Sequence, residues 1–179
     1  MKTIIIGLGN PVLGDDGVGW HVAEIVRQHL NDPELTGQQI DIEFLSLGGL
    51  GLMEHMIDYD RAILIDAINL EKDSLGTVYC YDLNELPNPG LGHTASSHDT
   101  TLQNALEVGK KLGAQLPAVV KLIAIESPYV FDFSEQLTPE MEDAVPHAAQ
   151  AVINALKNEN HTQQFQPPKL VREKEVNQL

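Results

Sequence analysis

Ala62-Ile63-Leu64-Ile65 is apolar at every position, and so is Ile4-Ile5-Ile6 inside the β-branched run Thr3–Leu8. A strand that shows one face to water alternates apolar and polar side chains; a strand with no polar position must be covered on both faces. Two such runs in a chain of 179 residues restrict the fold sharply. They call for a single-domain α/β architecture of three layers, a twisted and mostly parallel sheet with helices on both faces. Ile40, Ile42 and Phe44 alternate with polar residues and predict a strand with one face less buried. Thr77–Tyr81 and Val119–Ile125 read as two further strands.

Helical spacing fills the intervals. Val18, Val22, Ile25, Val26 and Leu30 recur at helical period over about 17–30. Gly48-Gly49 opens a short helix expected to carry Leu50, Met53 and Ile57 on one face, and Leu102, Ala105, Leu106, Gly109 and Leu112 predict the apolar face of a third helix. In the last helix Thr138 stands as N-cap and Pro139 in the first helical position, with the helix running to about Lys157. Pro146 lies inside it, at the cost of one backbone hydrogen bond. From Asn158 onward Gln163-Gln164 and Pro167-Pro168 leave little that could pack, so the expected division is a folded domain over 1–157 and a disordered tail over 158–179.

Charge and cysteine content narrow the function. Residues 1–157 hold 8 Lys/Arg against 23 Asp/Glu, whereas 158–179 hold three of each. The folded part is therefore strongly acidic and repels phosphate backbones, which disfavours nucleic-acid partners. Cys80 is the only cysteine, so neither an intrachain disulfide nor a four-cysteine zinc site can form. No apolar run approaches the ~20 residues of a membrane-spanning helix, and Met1–Gly7 is too quickly interrupted for a signal peptide. The expectation is a cytoplasmic protein, monomeric, without a membrane or nucleic-acid partner.

Between the first strand and the first helix lies Gly7-Leu8-Gly9-Asn10-Pro11-Val12-Leu13-Gly14-Asp15-Asp16-Gly17-Val18-Gly19. In parallel sheets that position borders the ligand crevice. It is not a dinucleotide loop, because Val12 stands at the third glycine of G-x-G-x-x-G and Ser46 stands where a ribose-binding acid belongs. Nor is it a phosphate loop: Gly9 and Gly14 have the spacing, but Asp15-Asp16 follow where Lys and Ser/Thr would hold a triphosphate. Gly7-Leu8-Gly9-Asn10-Pro11 also resembles the opening of peptidyl-tRNA hydrolases, whose histidine segment and basic surface have no counterpart here.

Three scattered residues can meet at one sheet edge. Asp16 lies near the start of the first helix, Asp66 at the end of a buried strand, and His98 in Ser96-Ser97-His98-Asp99-Thr100 before another helix. Each has a plainer reading: Asp16 as a complement to the helix dipole, His98 as an uncommitted loop residue, with His93 as a rival. Asp66 is the hardest to dismiss, since a carboxylate at a buried strand end is costly without a partner. Two carboxylates and one imidazole with open positions suit a borderline divalent ion such as nickel or zinc. Cys80, in a strand with no basic activator near it in sequence, reads as a small core residue rather than a nucleophile.

Four blocks in register carry a resemblance. Gly7-Leu8-Gly9-Asn10 followed by Gly14-Asp15-Asp16-Gly17-Val18-Gly19, then Ile65-Asp66-Ala67, Ser97-His98-Asp99, and Leu137-Thr138-Pro139-Glu140 preceded by Glu126-Ser127, resemble the hydrogenase maturation endopeptidases over residues 1–157. The resemblance implies an aspartyl-type endopeptidase whose metal-contacting trio falls on Asp16, Asp66 and His98. It also implies a partner, a hydrogenase large-subunit precursor trimmed of its C-terminal extension, and a nickel ion carried by that precursor rather than held permanently. Hydrolysis would run through a metal-polarised carbonyl or metal-activated water, or through Asp16 or Asp66 as general base. A nickel-sensing chaperone that binds without cutting would use the same three residues. One departure stands out: many relatives have an Asp before the paired glycines, where this chain has Ser46-Leu47-Gly48-Gly49.

Overall fold

The computed structural model describes residues 1–31, 33–71, 73–84, 101–128 and 133–157. The expected tail, 158–179, and the segment containing His93 and His98 lie outside the described residues. Five strands, β1 (Lys2–Leu8), β2 (Gln39–Leu45), β3 (Arg61–Ile68), β4 (Val78–Asp82) and β5 (Val119–Glu126), form one sheet in the order β2-β1-β3-β5-β4. Every pairing is parallel except that of β4 with β5, which is antiparallel. Among the described residues the helices are α1 (Val18–Gln28), α2 (Gly49–His55), α3 (Leu102–Lys111) and α4 (Pro139–Lys157), with a 3-10 turn, Gly14–Gly17, leading into α1 and another, Pro33–Leu35, before β2.

The all-apolar runs are covered on both faces, as the pattern required. Ile5, Ile63, Ile65, Ile123 and Ile125 point into one core with Val18, Val22 and Val26 of α1 and Met141, Ala148 and Val152 of α4. Ile4, Ile6, Ala62 and Leu64 point into the other, against Leu52 and Met53 of α2 and Ala105 and Leu106 of α3. Each fully buried aliphatic side chain contributes about 1.5–3 kcal/mol of transfer free energy, so these central strands hold the layers together. On the edge strand β2, Ile40, Ile42 and Phe44 meet the α1/α4 core at partial burial, the expected outcome of alternation.

Two expected helix faces are corrected. In α2 the buried residues are Leu52 and Met53, joined by Met56, while Leu50 and Ile57 are exposed. The short helix is rotated so that the two methionines reach the sheet. On α3, Ala105, Leu106 and Gly109 are buried, but Leu112 lies past the last turn and is exposed. Thr138 precedes α4 as expected, yet its hydroxyl donates to Asp15. Among the described residues no helix is long and apolar enough to cross a membrane.

The connection leaving β1 passes through α1 on one face to β2, on one side of β1. The connection from β2 passes through α2 on the other face to β3, on the opposite side. The carboxyl ends of β1 and β3 therefore border a topological switch point, where the loops diverge and leave a crevice.

Candidate functional site

That crevice is a cleft of about 380 Å³ lined by Leu8, Gly9, Asn10, Asp16, Ser46, Leu47 and Asp66. Its shape follows from the glycines. A Cβ on Gly19, in the first turn of α1, would collide with the carbonyl oxygens of both Leu8 and Ile65. Only glycine lets α1 start directly on the ends of β1 and β3. Gly9 takes φ +113°, and a side chain there would strike the backbone of Asp16. The loop therefore folds back on itself, and the Asn10 N–H donates to Asp16 Oδ2 at 2.6 Å. Ser46 closes the β2 side: its hydroxyl donates to the Gly9 carbonyl at 2.7 Å, next to the backbone bond from Gly9 N–H to the Leu45 carbonyl.

Asp16 is exposed on the 3-10 turn, one turn earlier than the start of α1. Asp66 is half-buried near the end of β3. Burial, and after it the Asp16 carboxylate, push the Asp66 carboxyl up to about 7, against a smaller opposing contribution from a backbone hydrogen bond at Ala67. Two carboxylates from segments 50 positions apart thus share one cleft and oppose each other's charge. Such a pair can exchange a proton near neutral pH and can bind a cation. The third expected member, His98, lies outside the described residues, as does its rival His93. Among the described residues no group of three His, Cys, Asp or Glu is placed to hold a metal ion by itself.

Cys80 sits in β4 and packs against the α1/α4 core. Burial first, and Asp82 after it, push its thiol up, against a lowering by Lys121. A thiol so placed is a poor nucleophile, in agreement with the sequence reading.

Several polar residues take roles that the sequence reading did not assign them. Asp15 is buried, at 3% exposure, and its two oxygens accept from the Thr138 N–H at 2.7 Å and the Thr138 hydroxyl at 2.9 Å. Glu126, fully covered at the end of β5, accepts from the N–H groups of Leu70 and Glu71 and from the Tyr79 hydroxyl, and so fixes the turn after β3. Asn10 enters the site through its backbone, and Ser46 through the same bond that closes the cleft. The adjacent pair Asp15-Asp16 was the available signal, but sequence alone does not say which of two neighbouring acids turns inward.

The family described as hydrogenase maturation protease matches residues 20–155. Among curated proteins, the hydrogenase 2 maturation protease of Escherichia coli is 26% identical over 159 residues, covering 88% of this chain and 92% of that protein. The hydrogenase expression/formation protein HupD of Thiocapsa roseopersicina is 24% identical over 171 residues, covering 90% of this chain and 74% of its own length. Among solved structures, the hydrogenase maturating endopeptidase HybD of Escherichia coli superposes with a TM-score of 0.67 at 26% identity, covering 88% of this chain and 93% of that one. The NiFe hydrogenase maturation protease HybD of Thermococcus kodakarensis shares the fold, with a TM-score of 0.60 at 23% identity over 88% of this chain and all of that chain.

Proposed function

This chain belongs to the hydrogenase maturation protease family, a family of peptide-bond hydrolases, and on that premise we propose that it removes the C-terminal extension of a nickel-loaded hydrogenase large-subunit precursor. The observation that carries the reading is the pairing of Asp16 and Asp66 in one cleft at the switch point, with Asp66 pushed up to about 7. Nickel is here a feature of the substrate. Two carboxylates form half a coordination sphere for a divalent ion, and the precursor supplies ligands of its own. His98 is the third protein ligand in this reading, brought in from the residues before α3.

The chemistry follows from the two environments. Asp16, exposed on its turn with Oδ2 held by the Asn10 N–H, keeps Oδ1 for the cation. Asp66, with one oxygen toward the cation, offers the other to the attacking water and takes its proton as general base. Its conjugate acid then delivers that proton to the departing amine, so the carboxylate is regenerated: the peptide C–N bond and one water O–H bond break as a C–O and an N–H bond form. We also take the protein to work as a monomer in the cytoplasm, where a lone cysteine suits a reducing compartment.

Purified nickel-loaded precursor, incubated with the protein and weighed by mass spectrometry, should lose its C-terminal segment. Asp16→Asn, Asp66→Asn and His98→Ala should each stay folded and slow that loss sharply. Double variants should be little worse than singles, since the residues act as a unit. Cleavage of nickel-free precursor at the same rate as the loaded form would sink the metal reading.

A further inference from the structure

Asp15 and Asp16 are neighbours on one 3-10 turn, yet their side chains go to opposite fates. Asp16 is exposed in the cleft; Asp15 is buried and bound twice to Thr138, 123 positions later. A carboxylate accepts only, and its two oxygens match the two donors Thr138 offers, a backbone N–H and a hydroxyl. Burying that charge would be costly unpaired; here the positive end of the 19-residue helix α4 lies just beyond the clasp. The clasp is not isolated. Gly14 N–H donates to the Ser134 carbonyl at 2.6 Å and Ser134 N–H to the Val12 carbonyl at 3.1 Å, so the segment before α4 is laced along the glycine loop.

We infer that Asp15 is a positioning residue: its double bond to Thr138 fixes the rotation of the 3-10 turn, and with it the place of Asp16 in the cleft. A 3-10 turn of four residues has almost no internal bonding to stop it rolling about its own axis. Rolled one way, Asp16 leaves the cleft and loses the Asn10 N–H; rolled the other, Asp15 would carry its charge into the cleft. The bonds to Thr138 hold one of these arrangements. The inference rests on the proposed role of Asp16 for its bearing on catalysis, but the geometric part has a reporter independent of activity. The Asn10 amide, bonded to Asp16 Oδ2, reads where that carboxylate sits.

The test uses Thr138→Val, which removes the hydroxyl and little volume, Thr138→Ser, which keeps it, and Asp15→Asn, which keeps the shape. Amide hydrogen exchange and steady-state processing of nickel-loaded precursor are measured for each. In Thr138→Val and Asp15→Asn the Asn10 amide should exchange about tenfold faster or more, while the amides of Ile4, Ile5 and Ile6 keep their protection. Processing should slow in kcat, and Thr138→Ser should restore both readouts. If Thr138→Val does not fold, Asp15→Asn carries the comparison alone. An Asn10 amide as protected in the folded variants as in the unmodified protein overturns the inference, whatever the processing rate. An Asn10 amide that opens while processing is unchanged upholds the positioning of Asp16 and overturns the role proposed for Asp16 itself.

Discussion

Asp66 faces the carboxylate of Asp16 across the cleft, and with burial as the larger cause and that negative neighbour as the second, its carboxyl is pushed from its ordinary 3.8 up to about 7. A carbon-detected NMR titration should place the Asp66 midpoint there in the unmodified protein. In Asp16→Asn the midpoint should fall, but stay above 3.8, because burial persists when the neighbour's charge is gone. A midpoint unmoved by that substitution would mean the two side chains do not sense each other.

The same shift has a sign in stability. A carboxyl whose pKa is raised by folding holds its proton more tightly in the native state than in the unfolded chain. The group costs nothing below about pH 3.8, costs progressively more as pH rises toward 7, and exerts its full penalty above. Asp66→Asn should therefore stabilise the fold at pH 8, by about 2 kcal/mol after allowance for water in the cleft, about half of what a shift of this size would give unscreened. Denaturant unfolding at pH 8 and pH 4.5 checks it: the gain should shrink at the lower pH. A gain equal at both would rule out ionisation as its cause. Function and stability are thus opposed at this residue, as they are at many catalytic groups.

Gly19 and Gly51 are both helical glycines and should respond oppositely to alanine. At Gly19 the new methyl would meet two backbone carbonyls that cannot yield without moving β1 and β3, so a loss of about 3 kcal/mol or more is expected. At Gly51 the nearest atom is Leu47 Cδ1 at 3.9 Å, and alanine should stabilise α2 by about 0.5–1 kcal/mol. Thermal unfolding of the two variants decides it; losses of similar size would show that α1 does not rest on the strand ends as described.

Much of this was legible because the chain punctuates itself. The uninterrupted runs at Ile4–Ile6 and Ala62–Ile65 demanded cover on both faces, and they received it. Asp66, an acid closing such a run, drew attention for the same reason. The face of α2 was misread because in a seven-residue helix the periods of Leu50/Met53/Ile57 and Leu52/Met53/Met56 cannot be told apart without knowing where the sheet lies. Asp15 and Glu126 were invisible as buried acids because their partners, Thr138 and the Leu70–Glu71 amides, are supplied by distant segments. Local sequence encodes the need for a partner but not who provides it.

Arg61 is a case of the same kind. Buried at the start of β3, its guanidinium donates to Thr3 Oγ1, Gln38 Oε1 and the carbonyls of Ala155 and Leu156 at the end of α4. Arg61→Ala should destabilise the protein by roughly 2–4 kcal/mol, since several buried acceptors lose a charged donor at once. Arg61→Lys should recover little, as a single ammonium cannot span that fan of acceptors. The residue is at the amino end of the central strand, remote from the cleft at the carboxyl ends, so processing per folded molecule should be unchanged in either variant. A selective loss of kcat would contradict that.

Cys80 should prove dispensable. Cys80→Ala removes one half-buried sulfur from the α1/α4 core and should cost about 1 kcal/mol through a small cavity. Alkylating agents should label the native thiol slowly, given its raised pKa. Abolished processing in a folded Cys80→Ala protein would reopen the question of a thiol nucleophile.

The last helix is fastened at both ends, its head to Asp15 beside the cleft and its final turn to Arg61 at the amino end of the central strand. During synthesis the glycine loop and both cleft acids emerge long before residues 138–157 do. Until those residues dock, the turn that carries Asp16 lacks its two bonds to Thr138. The Asp15–Thr138 clasp and the α4 half of one core face therefore form together, when that helix closes over the sheet.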